Sequence, residues 1–383
     1  MKKKILIGMA VCAALIVIAA TIIISIAVIK GDRRVAVFQT LVKEGIVIDT
    51  IVEHSKNAYN KILERYYYSR MQTNDWTMES RAERDKLPEF KIIPAAKPTE
   101  LTPAHSANQA SAYLNWQRSG GDSTSSRFSG WDQINRTNVK NLRPAWTYSP
   151  GTGAANVQAN PVYADGLLYF PNSAHYIVAV NAETGKEVWK FKPGFDFPAK
   201  RGMVWWKGND KAGPRLYFAA GFRMCGLDAK TGIPVKAFGG GCIKFGANAR
   251  VAPVIAGNML VIGSTLPGMH AFDIMTGELL WNTDFTPANL PRGPGGRPSK
   301  LKGGKVWGGM ALDEARGIAY VATGNPGPSL IGIERPGANE NSVSVIAVNI
   351  KDGSVLWSFQ EIAHDLWDLD LPASPVLTTI NHD

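Results

Sequence analysis

Seven consecutive residues, His364-Asp365-Leu366-Trp367-Asp368-Leu369-Asp370, bring three carboxylates, an imidazole and an indole together about a dozen residues before Asp383. Carboxylates and imidazoles are the side chains that move protons and hold cations at neutral pH. Such a dense cluster poses two questions: what reaction needs it, and what fold holds it.

The 383 residues, with 45% apolar and only 19% charged side chains, suffice for two or three domains built on cores. Ile5 to Ile29 is almost wholly apolar, long enough to cross a bilayer, and follows Lys2, Lys3 and Lys4. The apolar stretch is longer than a signal peptide needs and lacks a clear small-residue cleavage site, so residues 1–30 are expected to be an uncleaved transmembrane anchor. Lys30, Arg33 and Arg34 on the far side dilute the charge asymmetry that would orient it. Residues 31–87 contain apolar positions at helical spacing (Val37, Leu41, Ile48, Ile51, Val52) and are expected to form a helical stalk or a helix on the membrane surface. Residues 88–112, rich in Pro, Ala and Thr, are expected to be a linker.

From residue 113 to 383 short β-rich runs alternate with Gly, Asn, Asp and Pro turns. A unit recurs: Ala179-Val-Asn-Ala-Glu-Thr-Gly-Lys-Glu-Val-Trp189, then Gly226-Leu-Asp-Ala-Lys-Thr-Gly232, Ala271-Phe-Asp-Ile-Met-Thr-Gly-Glu-Leu-Leu-Trp281, and Ala347-Val-Asn-Ile-Lys-Asp-Gly-Ser-Val-Leu-Trp357. Its turn glycines Gly185, Gly232 and Gly277 lie 47 and 45 residues apart, and Gly353 follows after 76, so the last interval carries an insertion. A strand, an Asx–Thr–Gly turn and a strand ending in Trp, repeated every forty-odd residues, predict an all-β propeller in which the indole fills the gap between blades. Eight blades of about 45 residues need roughly 360 residues. Residues 113–383 provide fewer, so a partial ring is expected.

The net charge of +10 comes partly from the residues flanking the anchor and partly from a basic Gly/Pro loop with Arg292, Arg297, Lys300, Lys302 and Lys305. That loop is either simply solvated or attracts an anionic cofactor, substrate or lipid headgroup. No nucleic-acid motif is present. Beyond the anchor the cysteines are Cys225 and Cys242. They form either a disulfide closing a short loop or a pair of buried thiols, and the second is the favoured expectation.

The repeat and the acidic cluster together resemble the pyrroloquinoline-quinone (PQQ)-dependent dehydrogenases, eight-bladed periplasmic propellers that oxidise alcohols or sugars. The resemblance spans Trp116 to Leu377. It is carried by Trp116–Trp146, with Ile134-Asn-Arg-Thr-Asn-Val-Lys-Asn-Leu142, by Trp307-Gly-Gly-Met-Ala-Leu-Asp313 through Thr323-Gly-Asn-Pro326, and by His364–Pro372. It implies that Trp307 is the floor under the planar quinone, that Arg201 pairs with a cofactor carboxylate, and that Asp368 is the general base. It implies Asn325 as an amide-oxygen ligand, with Asp368, of Ca2+ or Mg2+. His175 resembles an active-site histidine of the membrane-bound glucose dehydrogenases. Arg250 and Thr265 fall at positions of cofactor-bonding hydroxyls, and Thr265 alone keeps the hydroxyl. His364, Asp365 and Asp370 are expected to shape the turn.

Two departures matter. Phe195-Asp196 stands where the alcohol and methanol enzymes have adjacent cysteines, and Leu266-Pro-Gly-Met269 lacks their metal-binding glutamate. The resemblance is thus nearer to the membrane-bound glucose and polyol enzymes. It implies an alcohol, sugar or polyol substrate, electron transfer to ubiquinone, and an inner-membrane anchor with the propeller in the periplasm. The later blades of the family are absent, so a truncated form, or a second chain completing the ring, is expected. The alternative is a non-catalytic propeller scaffold of the outer-membrane assembly-factor type, which would have no use for Trp307, Asn325 and Asp368 at this spacing.

Overall fold

The computed structural model describes residues 115–378, apart from 152, 154–155, 195–196, 247, 267, 293–297 and 329–331. The expected anchor, stalk and linker lie outside the described residues, as do Phe195, Asp196, Pro267 and Arg297.

Among the described residues, sixteen strands form four antiparallel four-stranded sheets, each following chain order. The first contains β1 (Val162–Ala164), β2 (Leu167–Pro171), β3 (Ile177–Asn181) and β4 (Glu187–Phe191). The second has β5 (Pro198–Trp206), β6 (Arg215–Ala220), β7 (Arg223–Asp228) and β8 (Cys242–Lys244). In the third are β9 (Val254–Ala256), β10 (Met259–Ser264), β11 (Gly268–Asp273) and β12 (Leu279–Thr283), and in the fourth β13 (Val306–Asp313), β14 (Ile318–Thr323), β15 (Ser344–Asn349) and β16 (Val355–Gln360). First strands of successive sheets pack side by side, β1 on β5, β5 on β9 and β9 on β13. This is the blade arrangement of a propeller, four blades long, as the repeat predicts.

The repeat explains how the blades are joined. In the first turn the Asn181 side-chain oxygen accepts from the backbone N–H of Glu183 and Thr184 and from the Thr184 hydroxyl. Asp228 and Asp273 do the same in the next two. Glycine closes each turn with a left-handed φ of 69° to 78°, where a β-carbon is strained. Its bare face is then covered by an aromatic from the preceding blade. A β-carbon on Gly232 would lie 2.5 Å from the Trp189 ring, and one on Gly353 2.5 Å from Trp281. The indole N–H of Trp189 donates to Ala229 O at 3.0 Å, and that of Trp281 to Ile350 O at 2.9 Å. Each tryptophan therefore buries its ring and satisfies its donor on the next blade.

The second blade breaks the pattern. Where the others end in Trp it has Ile243, which packs with Phe238 against Gly277. Here Cys225 on β7 and Cys242 on β8 are directly paired across the strands and joined by a disulfide. The expectation of two buried thiols is therefore corrected. Antiparallel register sets the two sulfurs face to face, which sequence spacing alone does not show.

A strap holds the first strands together. Trp116 exchanges backbone hydrogen bonds with Tyr163 on β1, and Gln117 and Ser119 pair with Trp205 and Met203 on β5. Arg118, 3% exposed, donates from Nε to Pro253 O and from Nη2 to Ala252 O, both just before β9. Ser125 Oγ donates to Met310 O and Ser123 O accepts from Leu312 N, both on β13. Ten residues thus touch all four blades.

Candidate active site

The blades place chemistry at one rim, where each first strand begins and each second strand ends. Arg201 lies near the start of β5, Arg250 precedes β9, Thr265 follows β10, Trp307 is the second residue of β13, and Asn325 follows β14. A cavity of about 400 Å³ opens there, lined by Arg250, Thr265, Lys305, Trp307, Asn325, Asp368 and Asp370. Arg250, Thr265, Trp307, Asn325 and Asp368 are expected site residues, Lys305 belongs to the basic Gly/Pro loop, and Asp370 is expected only to shape the turn.

Arg201 and Arg250 are brought together by backbone. Arg201 N–H donates to Arg250 O at 2.9 Å, outside the β5–β6 ladder, whose register breaks between Pro198 and Met203. The Arg201 guanidinium carbon lies 4.3 Å from the Trp307 ring centre, in cation–π contact. Burial, then the like charge of Arg250, lowers its pKa. Thr265 is tied back by its hydroxyl to Asn248 O at 2.9 Å. His175 sits exposed in the β2–β3 turn, edge-on to Phe197 at 5.2 Å, and is not among the residues lining the cavity.

Trp307 is fixed from behind. Its Nε1–H donates to Asp370 Oδ2 at 2.6 Å, while the other oxygen of Asp370 accepts the Asn325 backbone N–H. Burial raises the Asp370 pKa, and those two hydrogen bonds oppose the rise. Asp370 thereby links the tryptophan, the loop after β14 and the acidic cluster.

The cluster is a folded loop. Asp365, 2% exposed, turns inward and accepts from Trp367 N at 2.8 Å and Leu369 N at 2.7 Å. Asp368, with φ of 62°, turns back toward the cavity. His364 is half-buried, its Nδ1 2.6 Å from Gly337 O. Leu366, Trp367 and Leu369 are exposed, Trp367 at 81%. Arg335 is fully buried beneath the loop and donates to Pro328 O, Asn339 Oδ1 and Asp365 O. Burial lowers its pKa, and Asp365 works against that.

Asn325 meets this loop face on. Its Nδ2 donates to Asp365 Oδ2 at 3.0 Å and to Asp368 Oδ1 at 3.3 Å. Its Oδ1 is buried and has no hydrogen-bond partner. A buried amide oxygen left open beside a carboxylate is a donor set for a hard cation such as Ca2+. Among the described residues, no group of three or more His, Cys, Asp or Glu side chains converges as a metal site. Trp307, with the Arg201 guanidinium over its ring and Arg250 and Lys305 lining the same cavity, likewise suits a flat, anionic ligand.

A four-bladed run of quinoprotein-type propeller with this rim defines the class, and comparison with known proteins agrees. Residues 116–383 match the family "PQQ: Glucose/ethanol/alcohol dehydrogenase, beta-propeller domain", and the chain belongs to it. It is 30% identical over 296 residues to "Methanol dehydrogenase [cytochrome c] subunit 1" of Methylorubrum extorquens, covering 66% of this chain and 46% of that one. To "Quinoprotein glucose dehydrogenase A" of Acinetobacter calcoaceticus it is 26% identical over 324 residues, covering 71% and 40%. The crystal structure of quinohemoprotein alcohol dehydrogenase from Comamonas testosteroni superposes with a TM-score of 0.58 at 26% identity, over 70% of this chain and 44% of that one. The chain spans about half the length of the curated relatives it matches.

Proposed function

We propose that this chain carries the cofactor floor and the base of a PQQ-dependent dehydrogenase that oxidises an alcohol, sugar or polyol. The observation that carries the reading is the buried, unpartnered Oδ1 of Asn325, a residue that lines one cavity with Trp307 and Asp368. PQQ, when bound, would supply a quinone carbonyl carbon able to accept hydride from a substrate carbinol. Trp307 is the stacking surface, held in plane by Asp370, and Arg201, Arg250 and Lys305 supply charge for the carboxylates. Asn325 Oδ1 and Asp368 would hold Ca2+ or Mg2+. Asp368 accepts the substrate hydroxyl proton. His175, from the same rim, is a candidate contact to substrate. Residues 1–30 anchor the chain in the inner membrane, 31–87 form the stalk and 88–112 the linker, so that residues 113–383 lie in the periplasm and ubiquinone takes the electrons. Further blades, on the same polypeptide or a second one, complete the ring.

The test is titration of the purified full chain with PQQ and Ca2+. We expect stoichiometric binding with a shifted PQQ absorption band, weakened at least about tenfold in Trp307→Ala. In the enzyme with its ring completed, Asp368→Ala should lower turnover of alcohols or aldoses with a dye acceptor by about 10²–10⁴ and leave PQQ binding in place. Absent PQQ binding refutes the function, and unchanged turnover in Asp368→Ala refutes the base.

A further inference from the structure

We infer that Asp365, which does not line the cavity, is the positioning residue that turns the Asn325 amide so that its oxygen faces the cation. The inference rests on the proposed cation site and adds to it the group that makes the site. An amide offers one oxygen and one NH2, on opposite sides. With Nδ2 donating to both carboxylates, Oδ1 is the amide atom left over, and it lies buried with no partner. The flipped amide would set its oxygen against Asp365 Oδ2 and Asp368 Oδ1 and leave the NH2 buried without an acceptor, so two repulsions and two lost hydrogen bonds oppose it.

Of the two carboxylates, Asp365 is the one free to do this. Asp368 is exposed, is the longer contact at 3.3 Å, and in the proposed reaction must engage substrate and cation. Asp365 is buried, makes the 3.0 Å contact, and is immobilised from three directions. Its carboxylate receives Trp367 N and Leu369 N, and its carbonyl receives the fully buried Arg335 guanidinium. Arg335 also donates to Pro328 O, three residues past Asn325, so one cation joins the loop that carries the amide to the loop that carries the base. Groups that orient a ligand from behind in this way tune metal affinity without touching the metal.

The experiment is calorimetric titration of the purified full chain with Ca2+ alone. Wild type is compared with Asp365→Asn, Asn325→Ala and the double variant, each checked for fold by circular dichroism without metal. Asp365→Asn leaves one acceptor oxygen where the carboxylate serves Asn325 Nδ2, Trp367 N and Leu369 N, and turns its NH2 against one of these donors. Ca2+ affinity should fall by roughly 10- to 100-fold. In the Asn325→Ala background the same change should alter affinity less than about twofold, because Asp365 acts through the amide. A folded Asp365→Asn chain that binds Ca2+ like wild type overturns the inference, as do losses that simply add in the double variant, the mark of a purely local turn role. Should Asp365→Asn not fold, Asp365→Ser tests the same point: its hydroxyl can still serve Trp367 N but falls short of Asn325, and wild-type affinity again overturns the inference. If wild type itself binds no Ca2+, the cation site fails first, and the inference with it.

Discussion

Arg118→Met is the perturbation that asks whether the strap holds the blades together. The guanidinium is buried, its pKa is pushed down to about 10 by that burial, and it donates to Pro253 O at 2.8 Å, Ala252 O at 3.0 Å and Ser125 Oγ at 2.8 Å. Methionine keeps much of the stem volume, so the loss is mainly one of hydrogen bonds. Two buried carbonyls are left without these donors, each at about 1–3 kcal/mol. The third acceptor is cheaper to abandon, because the Ser125 hydroxyl still has Met310 O. Relief of guanidinium desolvation offsets part of the sum, and about 3–4 kcal/mol remains. At roughly 2–4 °C per kcal/mol for a domain of this size, the melting midpoint should fall by about 10 °C. Arg118→Lys, with its charge kept but its fork lost, should fall about half as far. Scanning calorimetry of the purified full chain measures both. A midpoint within about 2 °C of wild type for Arg118→Met would show that the strap merely lies across the blades.

Two further outcomes follow from single features. The Cys225–Cys242 disulfide closes a loop with a sequence separation of 17, so replacing both cysteines with alanine should cost about 3 kcal/mol; equal unfolding midpoints in urea with and without reductant would contradict this. Burial holds the His270 pKa below 6.5, with the ring stacked on Phe272 and edge-on to Phe245. The unfolded chain then takes up a proton as pH falls through 6.5 while the folded chain resists, so stability drops on acidification below that point. His270→Phe should flatten this part of the stability–pH curve, and an unchanged slope would refute it.

The blades were legible because each repeat is settled locally. The Asn181, Asp228 and Asp273 turns satisfy themselves within a few residues, and the spacing of their glycines sets the period. Trp307, Asn325 and Asp368 were legible as a family pattern. The resemblance gave no partners to Asp365 and Asp370, and three carboxylates in one short run look alike. Which of them faces the cavity depends on the left-handed φ at His364 and Asp368, neither of which is glycine. The reach of Arg118 to Pro253, 135 residues away, has no local trace at all.

The site residues share a further property: each sits where the sheet stops being regular. A ladder that pairs every N–H and C=O also fixes every side chain to one of two faces. A residue that must face the rim has to leave it. Arg201 does so in the β5–β6 register break and spends its N–H on the next blade, at Arg250 O. Trp307 lies in the break between Val306 and Gly309 on β13. Its neighbours Gly308 and Gly309 have no room for a β-carbon against Leu371 O and Ser374 Oγ, so the segment after the acidic loop lies directly on this break. Asn325 lies just past the end of β14, inside the interval that stretches the repeat from 45 residues to 76, and Asp368 lies beyond that interval in the loop after β16. The regular parts of the repeat set the distances between blades, and its irregular parts set the chemistry; that is why bulges and insertions in a propeller sequence are the places to look for a site.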